Sequence, residues 1–168
     1  MKNKLIVLVL ITTLLLLVGC SKRFLREPQV FWGITKTNEE GDIISADPDD
    51  WRSGNESSQN SQDKQQFPSS YPIYPIPTIF KIGPAYPNPA TGQVRIECQL
   101  PASAKVCMFI VNEQGKIVRK MMVGKLAPGY YLQIWDIRDE EGNQVPPGIY
   151  RCYFQSKLFE SHGDIEIK

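Results

Sequence analysis

The strongest constraint on the fold lies in the C-terminal half, where short alternating runs recur between turn signals. Val94, Ile96, Cys98 and Leu100 alternate with Arg95, Glu97 and Gln99, which gives a strand with one apolar and one wet face. "LPAS" turns it, and Lys105 to Val111 forms the next strand, with Val106, Met108 and Ile110 on one face. "NEQG" (112–115) supplies a turn closed by glycine, where positive φ costs least. Lys116 to Val123, Tyr130 to Trp135, Ile149 to Gln155 and a closing "DIEIK" follow, separated by "APG", "RDEEGN" and "PPG". This cadence, about seven strands over residues 80–168, predicts an all-β immunoglobulin-like β-sandwich.

The chain upstream of Phe80 has a different character. "SGNESSQNSQDKQQFPSS" (53–70) has almost no aliphatic side chains, so burial cannot offset the entropy of ordering it, and a disordered tether is expected. "YPIYPIPTIF" (71–80) favours extended polyproline II geometry and a stiffer spacer. Between these and the N-terminus, Val30, Trp32 and Ile34 alternate, "NEEG" turns the chain, and Ile43–Ile44 begin a second extended run. A small hairpin is expected there, marginal in water unless it docks on something. Asp47, Asp49 and Asp50 lack the ligand spacing and central glycine of a calcium loop and read as an acidic turn. Trp32 and Trp51 need burial, which two arrangements satisfy: docking on their own domain, or use as a partner-binding epitope.

At the N-terminus, Lys2 and Lys4 precede an apolar run from Leu5 to Val18. That run is shorter than the roughly 20 residues needed to span a bilayer and fits the h-region of a secretory signal. Leu17-Val18-Gly19-Cys20 resembles the lipobox of bacterial lipoproteins. The resemblance implies cleavage between Gly19 and Cys20, a diacylglyceryl thioether on Cys20, and acylation of its new amino group. Two or three acyl chains make anchoring nearly permanent, whereas one does not. Ser21, where an aspartate often signals inner-membrane retention, favours the outer membrane by the same analogy. Lys22, Arg23 and Arg26 either rest on anionic headgroups or begin a solvated tail.

A second resemblance covers residues 84–168. "YPNPATGQVRIECQLP", "VNEQGKIVRKM", "APGYYLQIWDIRDEEGNQVPPGIYRCYF" and "IEIK" occur in order. They resemble the immunoglobulin-like domain of flagellar hook-capping (FlgD-type) proteins and are similar to the C-terminal sorting domains of type IX secretion cargo. One departure is Ile137, where those families usually place glycine after Trp-Asp. The motifs read as structure: Pro87 and Pro89 stiffen the entry to a strand, Trp135 and Tyr150 are core aromatics, and Asp136 and Asp139 bond turn amides.

No catalytic constellation is visible. His162 is the sole histidine, expected to face solvent before the last strand, and no metal site or cofactor is expected. A net charge of +1 disfavours nucleic acid as a partner, and nothing suggests a small-molecule substrate. Cys98 and Cys152 share the parity of their core neighbours and form the candidate disulfide, with buried free thiols as the alternative, while Cys107 falls on the other face. The chain therefore divides into a signal peptide (1–19), a lipidated cysteine and tether with a small hairpin (20–79), and the sandwich (80–168). The expected function is a non-catalytic binding or structural module, held at the cell envelope through Cys20 near an envelope partner. The rival reading makes the β-domain a type IX-like sorting signal; hook capping itself is disfavoured, because that factor works without a lipid anchor.

Overall fold

The computed structural model describes residue 31 and residues 33–52 and 75–168. The Gly19–Cys20 junction, Lys22, Arg23, Arg26, Trp32 and the polar stretch 53–70 lie outside the described residues. Among those described there is no helix, and so none long and apolar enough to cross a membrane.

Nine strands form. β1 (Lys36–Thr37) and β2 (Ile43–Ser45) make a hairpin around the "NEEG" turn, but its first strand follows the Val30–Ile34 alternation expected to supply it. Its turn is closed by Asn38, whose Oδ1 accepts from the amides of Glu40 and Asp42. The sandwich contains β3 (Lys81–Ile82), β4 (Val94–Leu100), β5 (Ala104–Val111), β6 (Ile117–Leu126), β7 (Gly129–Trp135), β8 (Gly148–Gln155) and β9 (Glu160–Ile167). One sheet has the order β3-β4-β7 and the other β6-β5-β8-β9, all neighbours antiparallel.

Alternation along β4 decides which face is inside. Val94, Ile96, Cys98 and Leu100 are fully buried, opposite Trp135, Gln133, Tyr131 and Gly129 of β7. Trp135 meets Tyr150 edge-on at 5.4 Å, its Nε1 donates to the Arg138 carbonyl, and Tyr150 Oη donates to the Pro146 carbonyl. These aromatics thus bury their area without stranding a polar tip. β5 is buried on both faces: Val106, Met108 and Ile110 enter the main core, and Cys107, Phe109 and Val111 join Tyr153 in a small outer cluster.

Three expectations need correction. β9 begins at Glu160, four residues before "DIEIK", because "ESHG" pairs with Cys152–Gln155 although it carries no apolar alternation. His162 accordingly lies within β9, not before it. Its ring is half-buried against Tyr153 at 5.9 Å, so it does not simply face solvent. Burial, with Arg151 close by, lowers its pKa.

Ile137 keeps the turn that glycine would favour. Its φ is +57°, in the left-handed region, while its side chain is 1 % exposed within the core. The chain accepts backbone strain in exchange for apolar burial. Ile137→Gly is therefore expected to be more stable than Ile137→Ala by about 1 kcal/mol, the reverse of the usual order in a strand. Urea denaturation of the two variants measures this directly, and equal or inverted midpoints would refute the strain.

Candidate functional site

Residues 33–52 pack against the sandwich as a strap along the outer edge of β9, and Asn88 of the "YPNP" turn is its hub. Asn88 is fully buried. Its Nδ2 donates to the carbonyls of Thr35 and Asp164, each at 2.8 Å, and its Oδ1 accepts from the Glu166 amide at 2.8 Å. Its backbone exchanges two hydrogen bonds with Thr37, whose hydroxyl donates to the Ala85 carbonyl. One short amide side chain thereby joins strap, turn and last strand, with all of its donors and one acceptor used inside the protein.

The unpaired edge of β9 is sealed group by group. The His162 carbonyl accepts from Trp51 N, and the Asp164 amide donates to Asp50 Oδ1. Asn88 serves the Asp164 carbonyl and the Glu166 amide. Ala90 completes the row, donating to the Glu166 carbonyl and accepting from Lys168 N. An open edge strand invites pairing with another chain, and here none of these groups is left to do so.

Trp51 is 7 % exposed and belongs to the main core. It takes the first of the two arrangements, docking on its own domain, so the partner-epitope role is dropped for Trp51. A Cβ at Gly163 would lie 2.0 Å from Trp51 Cε2, so glycine is what admits the indole. The fit is not free: Trp51 has φ +58°, and its buried Nε1 has no hydrogen-bond partner among the described residues.

Charge is concentrated beside the strap. Arg151 and Asp164 stand opposite each other on β8 and β9 and form a bidentate pair, Nε–Oδ1 2.6 Å and Nη2–Oδ2 2.7 Å, with the Asp164 side chain 1 % exposed. Phe31 covers the guanidinium at 5.0 Å. Asp50 accepts from the amides of Thr35 and Asp164. Burial, reinforced by Asp164 and Asp47, nevertheless pushes its carboxyl up to about 6. A raised carboxyl contributes stability below its unfolded value and loses it as pH rises through the folded one. Asp164 shifts the same way, through burial opposed by Arg151, whereas the lowered His162 works in the opposite sense. The difference in stability between the parent and Asp50→Ala is therefore expected to shrink by about 1 kcal/mol between pH 4.5 and 7 once solvent screening is allowed for. Denaturation midpoints of both proteins at the two pH values check it; a gap that widens with pH refutes it.

Asp139 bonds its own turn, its Oδ1 accepting from the Asn143 amide, whereas Asp136, expected to bond its turn as well, instead makes a 3.9 Å ion pair with Arg119 among the described residues. Among the described residues no group of His, Cys, Asp and Glu is arranged to hold a metal. Cys98, Cys107 and Cys152 are buried, and no disulfide joins them to one another in this structure.

The opposite side of the sandwich is built differently. β7 ends its sheet, and its outer face presents Tyr130, Leu132 and Ile134, the last two about half exposed at 49 % and 52 %. The alternation of "GYYLQIW" is apolar on both faces, a legible sign of this surface that a search for core strands passes over. Beside it on β4, Arg95 and Glu97 are engaged by Tyr86, whose Oη donates to Glu97 Oε1 and whose ring lies under the Arg95 guanidinium.

The comparisons agree with this architecture over the sandwich. The chain is 34% identical over 61 residues to the basal-body rod modification protein FlgD of Salmonella typhimurium (strain LT2) and, equally, to that of Salmonella typhi. The aligned part is 36% of this chain and 26% of each relative, so the chain spans about a quarter of the length of the curated relatives it matches. Residues 84–157, from the approach to the "YPNP" turn to the end of β8, match the family profile of the FlgD Ig-like domain.

Proposed function

We propose that this protein is a lipid-anchored bacterial envelope lipoprotein whose immunoglobulin-like sandwich is a non-catalytic binding or structural module. The observation that carries the reading is Leu17-Val18-Gly19-Cys20, placed directly after a charged start and a short apolar run. The FlgD Ig-like match supports a module of structural type. Rod modification belongs to the named relatives, and the aligned quarter of those proteins carries over only the sandwich. Trp51 spends its surface within the domain, which leaves the apolar outer face of β7 as the best-supplied surface for a partner. With the strap docked, about 13 residues separate Cys20 from Gly33, an r.m.s. span of roughly 20 Å for a random coil, which would hold the module close to the headgroups and raise the effective concentration of module and partner.

The test is the intact mass of the protein from its native membrane fraction. The expected species begins at acylated Cys20 and ends at Lys168. A species lacking acyl groups refutes the anchor. One truncated near residue 80 makes the sandwich an address removed after delivery, as the type IX-like reading requires.

A further inference from the structure

We infer that Cys98 and Cys152 are a closable pair, a site for an inter-sheet disulfide that staples the two halves of the sandwich. Two aromatic contacts fix how β4 and β8 face each other. Trp135, paired with Val94, meets Tyr150 at one end of the core. Phe80, just before the Lys81–Gln99 pair and so level with Leu100, meets Phe154 at 5.1 Å at the other end. β4 from Val94 to Leu100 therefore runs alongside β8 from Tyr150 to Phe154. Cys98 and Cys152 both lie between the two contacts, fully buried and in the same core cluster. Each stands on an interior strand of its sheet, so a bond between them joins the sheets at mid-core. Cys107 points into the outer cluster and has no part in this.

The surroundings set when the bond forms. Burial pushes the Cys98 thiol up to about 12, and burial together with Cys98 pushes Cys152 up as well. Since the thiolate is the nucleophile, the folded reduced protein reacts slowly, and closure belongs to folding or transient opening. There, one thiolate attacks an external disulfide and releases one thiol, leaving a mixed disulfide. The second thiolate then displaces the external group. The two cysteines lose two protons and two electrons, and the oxidant, a small-molecule or protein disulfide, leaves as two thiols. This chemistry does not depend on the anchoring reading.

The experiment uses the full chain with Cys20→Ser, unfolded, refolded with glutathione disulfide, alkylated and digested with trypsin without reduction. Cleavage after Arg95, Lys105, Lys116, Arg151 and Lys157 puts Cys98, Cys107 and Cys152 on separate peptides. The expected product is Ile96–Lys105 joined to Cys152–Lys157, from protein with a native near-ultraviolet spectrum and a thermal midpoint raised on the order of 10 °C over the reduced form. Cys107→Ser should leave both results unchanged, and Cys98→Ala should fold but show no oxidant-dependent gain. Recovery of both cysteines alkylated, a link through Cys107, or a linked species without the native spectrum would overturn the proposal.

Discussion

Asn88→Ala is expected to cost about 4 kcal/mol, because it strips partners from two buried carbonyls and one partly buried amide, each worth roughly 1–3 kcal/mol when stranded. The carbonyls are those of Thr35 and Asp164, and the amide is that of Glu166. No water route replaces them, since the residue they surround is fully buried. Asn88→Asp is the sharper variant. It preserves shape and the acceptor for Glu166, but it turns an oxygen toward two carbonyl oxygens where the amide had two donors, so its cost should equal or exceed that of alanine. Urea denaturation followed by tryptophan fluorescence reads both. A loss below about 1 kcal/mol for either would show that the turn is not held from this side chain.

Asp164→Ala is expected to cost about 3–5 kcal/mol, since it leaves the Arg151 guanidinium partly buried beneath Phe31 with its carboxylate gone. The diagnostic is the double variant Arg151→Met with Asp164→Leu. If the penalty comes from an uncompensated charge, replacing both partners by apolar groups of similar size should recover most of it, leaving a net change within about 1–2 kcal/mol of the parent. If the double variant is as unstable as the single one, the pair contributes directly to stability instead. None of these substitutions removes the backbone groups of residue 164 that bond Asp50 and Asn88, so the strap need not leave for the measurement to be clean.

Features written in adjacent residues could be read from the sequence. The alternation of Val94 to Leu100, the glycine-closed "NEQG" turn and the "NEEG" hairpin all appear where local chemistry places them. What was hidden is long-range. Asn88 reads as a turn residue beside two prolines, and nothing near it announces bonds to Thr35 or Asp164, 53 and 76 positions away. Trp51 is an evident anchor, but its receptor is the absence of a side chain at Gly163, which is silent in any hydropathy pattern. The first half of β9 is polar because one side of it meets the strap and Tyr153 rather than the core, so alternation could not mark it. Ile137 illustrates the opposite case. A substitution that breaks a turn rule leaves the turn intact, because core burial compensates for the left-handed backbone. Residues 1–30 and 53–74 lie outside the described part, and there the lipobox and the tether rest on sequence alone.

The strap also determines how the molecule bears force. A pull applied upstream of residue 33 does not enter the sandwich at β3, the first strand of the domain in sequence. It enters through Thr35, Thr37, Asp50 and Trp51, which hold the "YPNP" turn and the last strand, β9. While the strap stays docked, the load path bypasses the stretch of chain from 53 to 80. Tension must peel the strap from β9 before it reaches β3, so the chain has two mechanical settings: a short one, with the load on the C-terminal strand, and a long one, reached only after Trp51 leaves its slot.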